Sequence, residues 1–134
     1  MDPLSIAGGC VGLVASIAQL SVVINGFVRG VRDARGDLDA VNRELLSLKT
    51  VLELLADDVS ATSKAPLPDT LQRQISGIVT NCGGVVADIE ETLQKYDGKS
   101  VLWTISGKGD MAKLRSALEA HKSALDIALD MVNM

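Results

Sequence analysis

Apolar residues recur every three or four positions through the first thirty residues, which is the spacing of one face of an α-helix. No charged side chain lies between Asp2 and Arg29. Asp2-Pro3 supplies a side-chain acceptor and a fixed φ, and both favour the start of a helix. We therefore predict a helix from Asp2 to Val31. Its apolar stripe comprises Ile6, Cys10, Leu13, Ile17, Leu20, Ile24, Phe27 and Val31.

A second stripe of the same helix is small or weakly polar. Its members are Ser5, Gly9, Gly12, Ser16 and Gln19. Gly8 and Gly12 also form a small-x-x-x-small pair, which lets another backbone approach closely. Three interpretations remain open: a transmembrane span, a central helix buried in a bundle, and a helix that serves in both states. About 20 apolar residues suffice to cross a bilayer, so the run is long enough. A secretory signal does not fit, because no Lys or Arg precedes the apolar run.

The next stretch has the most regular periodicity in the chain. Gly36-Asp37 is a plausible break, after which the stripe runs through Leu38, Val41, Leu45, Leu48, Leu52, Leu55 and Val59. These spacings of three and four form the seam of a coiled coil or a four-helix bundle. Val51 and Leu54 are expected to widen the seam towards a second neighbour, which favours a bundle.

Two further helices are predicted after a Pro-containing loop at Ser60–Pro68. The first starts at Pro68-Asp69 and carries Gly83-Gly84, which predicts either a bend or close packing against the opening helix. The other starts with Asp110 as N-cap. Their stripes are Leu71, Ile75, Ile78, Cys82, Val85, Ile89, Leu93 and Tyr96, followed by Met111, Leu114, Leu118, His121, Leu125, Ala128 and Val132.

The connector Asp97–Gly109 contains Val101, Leu102, Trp103 and Ile105 and is too apolar for a free loop. We predict a short helical turn that lays Trp103 over one end of the bundle. The fold class predicted is therefore all-α, an up-down four-helix bundle with an extra short helical turn around Trp103. Residues 1–134 are expected to form one domain.

Composition narrows the class of protein. A hydrophobic content of 47% excludes disorder, and 2% aromatic residues indicates aliphatic helix packing. The net charge of −4 argues against nucleic acid as a partner, because phosphate binding needs a basic surface. Cys10 and Cys82 lie on apolar stripes, so buried thiols in a reducing compartment are expected over a disulfide. The sequence contains no Asn-x-Ser/Thr acceptor, which fits a cytoplasmic chain.

Three arginines follow the apolar run. Arg29, Arg32 and Arg35 are interleaved with Asp33, Asp37 and Asp39. A solvated helix surface with internal ion pairs would explain this pattern. The alternative is contact with anionic lipid head groups at the end of an inserted helix, where basic residues flank apolar spans.

None of the candidate catalytic and cofactor-binding motifs has the residues that its chemistry requires. Gly98-Lys99-Ser100 lacks the upstream glycine and the strand of a phosphate-binding loop. His121 has no Cys or carboxylate cluster at metal-ligand spacing, and a packed or partly exposed core histidine is expected. Asp88, Glu90 and Glu91 fit a solvated face. Because no nucleophile, base and orienting group can be assembled, we expect no enzyme activity, no metal and no cofactor.

Three stretches of the sequence resemble a known family: MDPLSIAGGCVGLV, FVRGVRDARGDLDAVNRELLSLKTVLELLADD and VLWTISGKGDMAKLRSALEAHKSALDIAL. They are similar to the HeLo-like N-terminal domain of fungal NLR-type signalling proteins. That family is related in architecture to the HeLo domain and to the four-helix bundle of the mixed-lineage-kinase-like pseudokinase. The resemblance implies a helical bundle attached to a NACHT-type NTPase or another sensor, with a role in fungal programmed cell death and heterokaryon incompatibility.

The resemblance also implies that the N-terminal helix is the membrane-active element, here Leu4 through Val28. The residues assigned to it are Leu4, Ile6, Leu13, Ile17, Leu20, Ile24 and Phe27. Two function classes stay open. In the first, activation causes self-association, movement to the plasma membrane and insertion of this helix. In the second, the helix stays packed and the domain is a non-lytic module for homotypic or heterotypic protein interaction.

Overall fold

The computed structural model describes residues 3–61 and 67–133, and over these it contains four long helices and no strand. The long helices are α1 (Pro3–Gly30), α2 (Arg35–Ala61), α3 (Asp69–Tyr96) and α5 (Lys108–Val132). A 3₁₀ turn at Arg32–Ala34 joins α1 to α2. The short helix α4 (Ser100–Leu102) and a π-helical turn (Trp103–Gly107) precede α5. The predicted all-α bundle with an extra helical turn is confirmed.

The predicted stripes form the core. Every member of the α1 stripe is at most 8% exposed, and every member of the α2 seam is at most 1% exposed. The α3 and α5 stripes are also buried, except that Ile78, Leu114 and His121 are half-buried. The widened α2 seam is only partly correct: Val51 is buried, but Leu54 is 48% exposed. Leu54 is exposed because α2 packs against only two long helices, α1 and α5, and its other sides face solvent.

The helices alternate in direction, but they are not all packed against their neighbours in sequence. α1 and α5 each pack against both α2 and α3, so α2 and α3 lie diagonally across the bundle. The C-terminal turns of α1 and α3 line one groove, where Phe27 lies near Leu93. The N-terminal turns of α2 and α5 line another, where Val41 lies near Met111. The pairs α1–α3 and α2–α5 are therefore parallel.

The helix boundaries on either side of α2 differ from those predicted. The break after α1 falls at Val31, whose φ of −131° and ψ of 79° leave the helical region, and α2 begins at Arg35 instead of Gly36-Asp37. Gly36 lies inside the first turn of α2 because the 3₁₀ turn leads directly into the helix. Ser60 and Ala61 belong to α2, not to the predicted loop. Asp2 and residues 62–66 lie outside the described residues.

Gly83-Gly84 does not interrupt α3, which is continuous from Asp69 to Tyr96. A Cβ added to either glycine would have no neighbouring atom within 4 Å. Close packing against α1 is therefore not the reason for these two glycines, and the structure gives no other physical account of them.

The end of the bundle is closed by Trp103, as predicted. Its side chain is 1% exposed and its ring centroid lies 5.2 Å from Phe27 and 6.1 Å from Tyr96. Gly107 lies directly beneath these rings: an added Cβ would be 2.6 Å from Trp103 Cε3. The close approach of the two rings thus requires a glycine at 107.

Asp110 is not the N-cap of the last helix. α5 begins at Lys108 and continues the π-helical turn without a break. Asp110 Oδ2 instead accepts a hydrogen bond of 2.9 Å from Tyr96 Oη. This bond joins the end of α3 to the start of α5, so the carboxylate connects two helices where capping was expected.

Candidate functional site

The outward face of α1 is exposed and carries no charge from Ser5 to Val28. Val11 and Val22 are 62% and 71% exposed. Ser16 and Gln19 of the predicted small stripe are also exposed, and Ser16 Oγ donates a hydrogen bond of 3.2 Å to Gly12 O. Because that hydroxyl is bonded to its own helix, Ser16 does not depend on water for a hydrogen-bond partner.

By length and composition, α1 is the one helix of the described chain able to cross a membrane. Its Ser5–Gly30 segment has a mean hydropathy of 1.9 over its apolar window, of which 28% is buried in the bundle. The core helix of a soluble protein can have the same length and composition. α1 occupies a corner of the bundle instead of its centre, which corrects the interpretation of a central helix.

What distinguishes α1 from the other helices is the chemistry of its exposed side. The exposed residues of α2, for example, include Arg43, Glu53 and Asp57. A bundle helix normally places charges on its solvent face, since only a stripe has to be apolar. α1 buries a similar stripe but has an outward face compatible with both water and hydrocarbon.

The three arginines line one groove at the C-terminal end of α1. It measures about 620 Å³ and is formed by the last turns of α1, the 3₁₀ turn and the start of α2. The lining residues are Ile24, Asn25, Val28, Arg29, Arg32, Arg35 and Asp39. The sequence pattern placed the arginines only roughly on one side, whereas the turn at Val31 brings them together.

The arginines of this groove, which we call the arginine groove, have solvated guanidinium groups. All three are exposed. No carboxylate lies within 4.0 Å of them among the described residues, where the ion pairs are Arg115–Glu119 and Lys122–Glu44. The expected internal pairing with Asp33, Asp37 and Asp39 is therefore not observed. Three guanidinium groups facing one lining carboxylate leave the groove positively charged.

The residues assigned to the membrane-active helix point into the bundle. Ile6, Leu13, Ile17, Leu20, Ile24 and Phe27 are all buried. The side chain of Leu4 lies outside the described residues. These side chains can meet a bilayer only if α1 leaves α2 and α3. Sequence reasoning overlooked the exposed valines on the opposite face, although Val11 and Val22 recur at helical spacing and could have been recognised from it.

The two cysteines lie in the core between α1 and α3. Both are free and fully buried, as predicted. Burial raises the pKa of Cys10 to about 11, and burial together with the neighbouring Cys10 raises the pKa of Cys82 to about 11. Because the thiolate is the reactive form, both thiols are inert while α1 is packed.

The remaining candidate residues do not form a site. His121 is half-buried, and Asp88, Glu90 and Glu91 are exposed. No group of three His, Cys, Asp or Glu side chains that could hold a metal ion lies within the described ranges.

The fold and these surfaces define a four-helix bundle with an uncharged outer helix and an arginine groove at the end of that helix. The chain belongs to the family described as pigment biosynthesis cluster protein PigL N-terminal, whose model matches residues 1–134. It is similar to azaphilone pigments biosynthesis cluster protein L of Monascus ruber, with 24% identity over 125 residues. The match covers 93% of this chain and 26% of the relative, so the chain spans about a quarter of that protein's length. No solved structure matches the chain.

Proposed function

We propose that this domain is a non-enzymatic effector and signalling module that self-associates on activation and acts on anionic membranes through α1. The observation that carries the proposal is the uncharged outward face of α1, which ends at three unpaired arginines. An apolar helix followed by cationic side chains matches the order of hydrocarbon and head groups in a bilayer.

The resemblance to HeLo-like domains of fungal NLR-type proteins supports the same proposal. It suggests a role in programmed cell death or heterokaryon incompatibility, and a sensor or NTPase domain elsewhere in the protein. The relative's name associates that protein with a pigment biosynthesis cluster. A regulatory module within such a cluster is compatible with a membrane-acting bundle, because neither requires catalysis by these residues.

Release of α1 needs a driving force. Each large aliphatic side chain that loses its burial in the core costs about 1.5–3 kcal/mol when it meets water. The α1 stripe contains Ile6, Leu13, Ile17, Leu20 and Ile24, so a solvated intermediate is strongly unfavourable. Transfer directly into hydrocarbon keeps these side chains away from water. We therefore propose that clustering at the membrane, not dissociation in solution, precedes insertion.

Co-sedimentation with vesicles tests the contribution of the arginine groove. The domain should bind phosphatidylcholine vesicles containing phosphatidylserine more strongly than pure phosphatidylcholine, and salt should weaken binding by screening. The variant Arg29→Gln, Arg32→Gln, Arg35→Gln should bind weakly. The control Arg43→Gln, Arg73→Gln, Arg115→Gln removes the same charge from exposed positions elsewhere. Equal loss in both variants would show that net charge, not the groove, governs binding.

A second candidate function is a protein-interaction module. It is favoured by an apolar groove of about 410 Å³ between α3 and α5, whose walls include Ile78, Ile127 and Met131. Ile127 and Met131 are 63% and 47% exposed. If Ile127→Ser, Met131→Ser abolished self-association while the clustered parent released no vesicle contents, this second function would replace the first.

A further inference from the structure

Three apolar side chains project from the turn above Trp103. Val101 and Ile105 are 71% and 73% exposed, and Leu102 is 47% exposed. They lie one helical turn apart, so they form one continuous patch. We call Val101, Leu102 and Ile105 the apolar cap. Their hydrophobicity predicted a helical turn with Trp103 packed on the bundle, and of the four apolar side chains only Trp103 is buried.

The cap is held rigidly. Trp103 lies in the same turn and packs between Phe27 of α1 and Tyr96 of α3. Thr104 Oγ1 donates a hydrogen bond of 3.1 Å to Ser100 O, and Trp103 N donates one of 2.9 Å to Lys99 O. Because the turn is fixed to the bundle by the indole, the exposed apolar side chains are part of the folded surface.

Basic residues outnumber acidic ones in the two segments that form the cap's end of the bundle. Residues 29–35 and 95–108 form this end of the bundle, where α4 and the π-helical turn contact the 3₁₀ turn. These two segments contain six Lys or Arg residues and two Asp residues, a net charge of +4, while the whole chain carries −4. The rest of the chain therefore carries −8. Asp37, Asp39 and Asp110 adjoin these segments, and including them leaves a net charge of +1 at this end and −5 in the rest of the chain.

We propose that the apolar cap is an interfacial anchor by which the intact bundle, with α1 still packed, docks on a bilayer that contains anionic lipid. Charge complementarity and the projecting apolar side chains favour an anionic bilayer as the partner of the cap. Apolar side chains at an end of the bundle that also carries the arginine groove enter the head-group boundary, while the cations meet lipid phosphates. The inference rests on the proposed function for its partner, but it concerns a different surface and a step before α1 moves.

Docking at this end also prepares the step assigned to α1. The cap and the arginine groove share one end of the bundle, because Arg32 belongs to the 3₁₀ turn that α4 contacts. An anchored bundle therefore places the C-terminal end of α1 at the head groups. The uncharged face of α1 then begins at the membrane surface.

The test uses the 134-residue domain and vesicles of phosphatidylcholine with or without phosphatidylserine. Val101→Ser, Ile105→Ser removes apolar surface without changing charge, and both positions are exposed, so folding should be unaffected. The matched control Leu46→Ser, Leu54→Ser removes two apolar side chains, 55% and 48% exposed, from the solvent face of α2. Partitioning of the cap variant should fall about tenfold or more, and that of the control by less than about twofold.

The single tryptophan supplies a second readout. Because Trp103 lies beneath the cap, lipids brominated near the head group should quench its emission in the parent and not in the cap variant. The inference would be overturned if parent and cap variant bound equally, or if the parent bound neutral and anionic vesicles equally. A change of oligomeric state in the cap variant would also overturn it, because it would identify a second copy of the chain as the occupant of the cap. Failure of the clustered parent to release vesicle contents would instead contradict the proposed action of α1.

Discussion

Replacing Gly107 by alanine tests the packing that fixes the end of the bundle. The added Cβ would lie 2.6 Å from Trp103 Cε3 and 3.1 Å from two atoms of the Tyr96 ring, so both rings must shift. Overpacking of this kind costs about 1–3 kcal/mol. Alanine gains up to about 1 kcal/mol over glycine in a helix, so the net destabilisation of Gly107→Ala should be up to about 2 kcal/mol.

Gly109→Ala is the matched control. Gly109 is exposed in the first turn of α5, and a Cβ there meets no atom within 4 Å. This variant should be neutral or more stable by up to about 1 kcal/mol. Urea unfolding followed by circular dichroism gives both free energies of unfolding, and their difference isolates the cost of the contact. Identical stabilities for the two variants would refute the assigned packing around Trp103.

Three further outcomes follow from the burial of particular side chains. Leu48→Ala should cost about 2–5 kcal/mol in urea unfolding, because Leu48 is fully buried, and a loss below about 0.5 kcal/mol would mean the α2 seam is misassigned. The fluorescence of native Trp103 should have the short-wavelength emission maximum of a buried indole. An emission maximum typical of indole in water would contradict the burial of Trp103 at the end of the bundle. Cys10 and Cys82 should react slowly with iodoacetamide at pH 8 and rapidly in urea. Because folding raises their pKa from 9.0 to about 11, the free energy of unfolding should fall as the pH rises from 9 to 11. Rapid reaction of the native protein would show that α1 opens without a membrane.

Periodicity predicted most of the fold because each helix buries one stripe, and a buried stripe leaves a direct mark on the sequence. The four stripes were recognised in this way, and the burial of Trp103 was predicted from the apolar composition of its connector. The stripes did not predict which helices are neighbours, because a stripe does not specify which helix covers it. The diagonal placement of α2 and α3 depends on their packing against α1 and α5 together.

Local boundaries failed where tertiary contacts replaced local preferences. Asp110 has the chemistry of an N-cap, yet it bonds to Tyr96 Oη, and the helix starts earlier through a π-helical turn. Gly107 looks like a flexible connector residue in the sequence, but it is required by two aromatic rings. The arginine groove depends on the single non-helical residue Val31, whose backbone angles no residue pattern predicts.

Entry of α1 into the bilayer can be tested with the variant Ser16→Asp, Gln19→Asp. The measurement is dye release from anionic vesicles by the artificially clustered protein. Both residues are exposed in the bundle, so folding should be retained within about 1 kcal/mol. Near the middle of a membrane-spanning helix, each aspartate costs about 2.5–3.5 kcal/mol, enough together to reduce insertion about 10⁴-fold.

The control Ser116→Asp, Ser123→Asp places the same charge on exposed positions of α5. We expect the parent and this control to release dye when clustered, and the folded α1 variant to release none. Release by the folded α1 variant at the parent's rate would contradict insertion of α1.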